Sequence, residues 1–144
     1  MYTLTILKPD AVEAGLMGKI IAHLEEAGFV IRASKMIRLA EAEAKAFYEV
    51  HKERPFYDSL VKYMTSGPCM PMVLEGDDAV GYLRDVIGAT DPAEAAEGTV
   101  RQLYAESKER NVIHASDSPE NAEKEIAFFF SVAELQRLWG SSTR

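Results

Sequence analysis

Cysteine is almost missing from this chain: Cys69 stands alone among 144 residues. No disulfide can close within the chain, and no Cys/His cluster has the spacing of a structural zinc site. This usage predicts a reducing compartment, the cytoplasm. Long apolar runs are missing too. No stretch approaches the ~20 residues of a membrane span, and Met1–Ile6 has no basic region leading into an apolar core, so neither membrane insertion nor export is expected. Positive charge is scarce, with 16 Lys and Arg against 23 Asp and Glu and a net charge of -7. That balance argues against a general nucleic-acid or anionic-membrane binder, so an anionic ligand would need a pocket where a few bases converge. Repeats, linkers and low-complexity tracts are absent, and residues 1–144 are read as one domain.

What the chain does have is a core: 47% of its residues are hydrophobic, interleaved with 27% charged ones. Tyr2–Leu7 alternates with a period of two and reads as a strand that stops at a Lys8-Pro9-Asp10 turn. Ile20, Ile21, Leu24 and Ala27 share one face of a helix over Met17–Ala27, closed by Gly28. Phe29–Leu39 lacks helical phasing and predicts a strand. Glu41–Val50 and Phe56–Thr65 read as a helical pair broken at Arg54-Pro55. Cys69–Leu74 predicts a strand in which Pro71 demands an edge or a bulge. Asp77–Ile87 predicts a helix stopped by Gly88, followed by a long loop over Gly88–Gly98. Ser118-Pro119-Glu120 has the form of a helix start, and the final strand is expected at Phe128–Phe130. The order β-α-β-αα-β-α-β fits an α/β (α+β) fold: a ferredoxin-like split βαβ with a four-stranded antiparallel sheet and helices on one face. The uncovered face would then favour self-association.

Gly15-Leu16-Met17-Gly18-Lys19-Ile20 is not a phosphate loop, because its glycines are too close and no Ser or Thr follows the lysine. An anion site would therefore draw on dispersed bases such as Lys8, Arg54, Arg84 and Arg101, each of which is otherwise an ordinary surface charge. The most informative segment is Asn111-Val112-Ile113-His114-Ala115-Ser116-Asp117-Ser118, where a histidine lies just ahead of a capped helix. Spacing alone leaves two readings open, a nucleophilic imidazole or a structural histidine beside a capping turn. His23 and His51 read as structural or surface residues.

That segment closely resembles the active-site signature of the nucleoside diphosphate kinases, and T-I-L-K-P-D-A-V, F-Y-E-V-H-K-E-R-P-F-Y, Y-M-T-S-G-P, L-E-G-D-D-A-V, G-A-T-D-P-A and G-T-V-R resemble that family's further blocks in its order. The resemblance implies a Mg2+-dependent phosphotransferase that moves the γ-phosphate of ATP, or another nucleoside triphosphate, to a nucleoside diphosphate through a phosphohistidine at His114, with broad base tolerance. Glu125 would orient His114 with help from Ser116. Lys8, Tyr48, Arg84, Thr90 and Arg101 match phosphate-contacting positions, with Asn111 and Lys8 also reaching the sugar hydroxyls, and Phe56 matches the base-stacking aromatic. Magnesium would arrive on the nucleotide, with no protein metal ligands. A homo-oligomer, tetramer or hexamer, is also implied. Lys108 lies in the loop that faces Phe56 in the family. The chain departs from the family pattern at Ala115, usually glycine, at Asp91, usually asparagine, and at Gln102-Leu103-Tyr104, usually a Gly-Asp-Phe-like run. The rival class is a non-catalytic ligand-binding or interaction domain on the same scaffold.

Overall fold

Strand β1 (Tyr2–Leu7) runs up the middle of a four-stranded sheet ordered β2-β3-β1-β4, with β2 at Val30–Ser34, β3 at Met70–Glu75 and β4 at Ile113–Ala115. The computed structural model describes residues 1–139; residues 140–144 of the expected domain lie outside it. Every strand pairing is antiparallel, with Leu4 opposite Val73 and Ile6 opposite both Pro71 and His114. Helices fill the connections, α1 (Pro9–Glu13), α2 (Met17–Glu26), α3 (Glu41–Phe47), α4 (Tyr57–Met64), α5 (Ala79–Ile87) and α6 (Val100–Tyr104), and two more follow β4, α7 (Pro119–Phe129) and α8 (Val132–Trp139). This is the ferredoxin-like α+β architecture expected from the sequence.

The helices cover both faces of the sheet, not one. Because strand side chains alternate, Leu7, Met72, Leu74, Ile113 and Ala115 point into a core shared with α1, α2, α5 and α6. Leu4, Ile6, Ala33 and Val73 point the other way, into a core shared with α3, α4 and α7. An uncovered sheet face therefore cannot be the reason for self-association. The amphipathic stripe of α2 buries Ile20 and Leu24 completely, which contributes about 1.5–3 kcal/mol for each side chain.

Three further expectations change. Lys8-Pro9-Asp10 does not end in a turn: Pro9 occupies the first turn of α1, where its missing N–H is no loss and its φ is already helical. The Phe128–Phe130 run is not the last strand. Phe128 and Phe129 belong to α7, Phe130 caps it, and the fourth strand is Ile113–Ala115, which carries His114. Pro71 is neither at an edge nor in a bulge, since β3 lies between β2 and β1. Its missing donor coincides with the end of β2 at Ser34. Lys35 N–H still donates to the Pro71 carbonyl, and pairing returns at Ile37–Cys69.

Candidate active site

The face of the sheet shared with α3 and α7 opens at the β4 end into a cleft of about 590 Å3. Lys8, Tyr48, Phe56, Arg84, Thr90, Arg101, Asn111, His114 and Glu125 all line it, so residues up to 117 positions apart converge on one space. Ser116 sits behind them, fully buried.

His114 is fixed from three sides. Its pairing with Ile6 sets the backbone, and the Thr5 hydroxyl donates to its carbonyl at 2.7 Å. Glu125, on α7, brings Oε1 within 2.8 Å of Nε2, and the Ser116 hydroxyl donates to the same oxygen at 2.7 Å. Phe47 packs edge-on against the imidazole with ring centroids 5.4 Å apart. A carboxylate accepts only, so Nε2 carries the proton and Nδ1 is the ring nitrogen with a free lone pair. The helix that delivers Glu125 starts where its sequence says it should: Ser118 Oγ accepts from Asn121 N–H, and Pro119 follows.

The basic groups are held by the backbone around them. Lys8 is buried and donates to Asn111 Oδ1 at 2.8 Å. Burial, reinforced by the nearby Arg101 and opposed by Asp10, lowers its ammonium pKa to about 7. Arg101 spends three of its five N–H donors on the carbonyls of Asn111, Gly88 and Ile113, at 3.4, 3.1 and 2.6 Å. Burial, and then the Arg84 charge, lower its pKa to about 10. Gly88 makes this geometry possible: its φ is +90, and a Cβ there would stand 2.5 Å from Thr99 Oγ1. Arg84 donates to the Ala115 carbonyl at 3.4 Å, and the Asn111 amide reaches the Thr90 carbonyl at 3.2 Å. Tyr48 is buried, with no hydrogen-bond partner for its hydroxyl among the described residues; burial above all holds its phenol in the neutral form. Phe56 is 48% exposed on the cleft wall. The arrangement offers a tautomer-locked imidazole, a set of cations suited to a polyphosphate, and an exposed aromatic face. Among the described residues, no group of three or more His, Cys, Asp or Glu is placed to hold a metal ion.

The sequence 1–135 matches the family model described as "Nucleoside diphosphate kinase". The chain belongs to the nucleoside diphosphate kinase family. It is thereby an enzyme, a kinase of nucleotide metabolism. A nucleoside diphosphate kinase of Chlorobium chlorochromatii (strain CaD3) is 61% identical over 135 residues, covering 94% of this chain and 96% of the relative. One from Chlorobaculum parvum is 60% identical over 136 residues, covering 94% and 97%. The nucleoside diphosphate kinase of Aquifex aeolicus superposes with a TM-score of 0.90 at 48% identity, over 92% of this chain and 96% of that one. A halophilic nucleoside diphosphate kinase from Halobacterium salinarum, solved in complex with CDP, gives 0.89 at 41% identity over 93% and 90%.

Some of the cleft was not foreseen. His51, read from sequence as a structural or surface residue, lines the cleft and packs on both Tyr48 and Phe56. Phe47, Phe128, Lys124 and Asn121 also line it, and only the helical spacing of Asn121, Lys124 and Phe128 along α7 could have hinted at a shared face. Lys108 is exposed and does not line the cleft. The departures from the family pattern are accommodated locally. Ala115 buries its methyl in the core, Asp91 accepts from Ala93 N–H, and Gln102 accepts from Gly98 N–H. Among the described residues, no helix is long and apolar enough to cross a membrane.

Proposed function

We propose that the enzyme, a single domain over residues 1–144, transfers the γ-phosphate of ATP or another nucleoside triphosphate to a nucleoside diphosphate in two half-reactions through His114. The observation that carries this reading is the 2.8 Å pairing of Nε2 with Glu125, which leaves Nδ1 as the free nucleophile on a side chain lining a basic cleft. In the first half-reaction the Nδ1 lone pair attacks the γ-phosphorus. The N–P bond forms, the bond to the β-phosphate oxygen breaks, and the diphosphate leaves with that electron pair. The imidazole gains positive charge, which Glu125 stabilises through the retained Nε2–H. A second diphosphate then attacks the phosphoryl group through its terminal oxygen and restores the neutral ring.

Phosphoryl transfer asks the protein mainly for alignment and charge neutralisation. Lys8, Arg84, Thr90 and Arg101 serve the phosphates, Tyr48 belongs to the same group by its place in the cleft lining, and Asn111 with Lys8 reaches the sugar. Magnesium enters on the nucleotide phosphates as part of the substrate. Phe56 stacks the base, and a π face is common to all bases, so the enzyme tolerates any of them.

We further propose a cytoplasmic homo-oligomer, tetramer or hexamer. Support for assembly comes from edge strand β2 and the segment after it, where Val30 and Met36 are 49% and 46% exposed. The test of the reaction is His114→Ala. It removes the phosphoryl carrier and little of the binding surface, so turnover should vanish while nucleotide still binds; appreciable turnover by this variant overturns the mechanism.

A further inference from the structure

The chain enters β4 through a strained turn. Val112 has φ +63, and Ile113 N–H bonds back to the Asn111 carbonyl at 2.8 Å. This is the closure of a positive-φ γ-turn, a rare conformation that strains any residue but glycine and suits a β-branched one least. The turn redirects side chains. In an unbroken strand Asn111 and His114, three residues apart, would point to opposite faces. Here Val112, Ile113 and Ala115 all enter the same core, while Asn111 and His114 both line the cleft. The γ-turn shifts the alternation by one residue and so turns the amide and the imidazole toward the same cleft.

Both polar groups of Val112 are held from the β1–α1 junction. The Lys8 N–H donates to its carbonyl at 2.8 Å, and its own N–H donates to Asp10 Oδ2 at 3.2 Å. Asp10 is buried on α1, and its other oxygen accepts the Tyr63 hydroxyl of α4. Burial first, and then Asp10 itself, keep that phenol protonated and therefore a donor. Asp10 is not among the residues lining the cleft.

We infer that Asp10 is a positioning residue for phosphoryl transfer: by clamping the Val112 peptide in its γ-turn it keeps Asn111 on the same side of the chain as His114. The role rests on the reading of His114 as phosphoryl carrier. Tyr63 braces the carboxylate from behind, so that its second oxygen stays directed at Val112. The geometry also explains why a strained valine is tolerated beside the nucleophile. Hydrogen bonds to a charged acceptor are among the stronger ones in proteins, and here one opposes the backbone strain directly.

The experiment measures the rate of His114 phosphorylation by Mg·ATP, per folded molecule, in the full chain and in Asp10→Asn, Val112→Gly and the double variant. Asp10→Asn keeps the shape but replaces a charged acceptor with a neutral one, and it should slow labelling at least tenfold. In the Val112→Gly background the backbone adopts positive φ with little strain, so the same Asp10→Asn change should cost less than threefold. A merely stabilising role gives a different pattern, since Val112→Gly itself weakens the core and the two losses would accumulate. Equal rate losses in the two backgrounds therefore overturn the inference. Amide hydrogen exchange supplies a readout independent of activity. The Val112 amide should be protected in the unmutated protein and should exchange at least tenfold faster in Asp10→Asn, with Ile6 unchanged. Unaltered Val112 exchange overturns the clamp, as does a Val112 amide that already exchanges like an exposed loop in the unmutated protein, a measurement that needs no variant to fold. An unmutated enzyme that never labels His114 would instead sink the carrier mechanism, and the exchange data would still decide the role of Asp10.

Discussion

His114 and Glu125 meet at 2.8 Å, Nε2 to Oε1, from a three-residue strand and the helix that follows it. The pair is half of the proposed catalytic step. As the phosphoryl group arrives at Nδ1, positive charge develops on the ring, and the carboxylate opposes it where solvent is largely excluded: the two side chains are only 18% and 21% exposed. A hydrogen bond to a charged group is worth about 1.5–3 kcal/mol, and about 1.4 kcal/mol is tenfold in rate. Glu125→Gln should therefore slow His114 phosphorylation by about 10- to 100-fold and leave nucleotide affinity nearly unchanged. Stopped-flow measurement on folded variant checks this, and an unmutated rate contradicts the orienting role.

Lys8 links binding to pH. Its ammonium sits at about 7 in the native protein against 10.5 for an unperturbed lysine. Between those two values the unfolded chain holds a proton that the native protein does not, so this group's contribution to stability improves as pH rises through that window and is least favourable below 7. On the proposed reading, a bound polyphosphate restores the charge. Nucleotide binding at pH 8 should accordingly take up a proton, visible by calorimetry in buffers of different ionisation enthalpy, and Lys8→Met should abolish the uptake. Proton-neutral binding by the unmutated enzyme would contradict the assignment.

Phe56 presents an exposed ring face, and stacking on it needs no particular base edge. Phe56→Ala should weaken binding by about 1–3 kcal/mol for purine and pyrimidine nucleotides alike. Titration with ADP, GDP, CDP and UDP checks it; a loss confined to one base would mean that an edge is being read.

The expected assembly is checked by light scattering at micromolar concentration. It should show a species four or six times the monomer mass, in line with the tetramer or hexamer proposed above. A monomer alone would contradict assembly. A charge placed at the edge strand by Val30→Glu should favour dissociation, because a buried, unpaired carboxylate is costly.

Much of the fold was legible where periodicity was clean. The alternation of Tyr2–Leu7 and the apolar stripe over Met17–Ala27 point to β1 and α2 nearly to the residue, α2 ending at Glu26. Each failure has its own physical cause. Ile113–Ala115 is too short to display a period, whereas Phe128–Phe130 looks like a strand because aromatic side chains favour sheets, although α7 uses Phe129 against the core and Phe128 toward the cleft. Pro9 reads locally as a stop but opens α1. The candidate site residues were legible through their resemblance to a family signature, not through spacing. Phe47 and Asp10 lie within two of the resembling blocks, yet nothing there assigns either a role, since their roles depend on contacts with His114 and Val112 that only the folded chain creates. A valine at positive φ runs against local propensity, and no sequence rule announces it.

The central claim is that the phosphoryl group rests covalently on His114 between two independent half-reactions. Its most direct test is to mix the enzyme with labelled Mg·ATP and no acceptor, remove all nucleotide, and then add an unlabelled nucleoside diphosphate alone. The account predicts acid-labile, alkali-stable label on His114 at up to one per chain, chased quantitatively into the new triphosphate without any ATP present. An enzyme that turns over normally when both nucleotides are present, yet retains no label after their removal and gives nothing to the chase, would contradict it and point to direct transfer between two bound nucleotides.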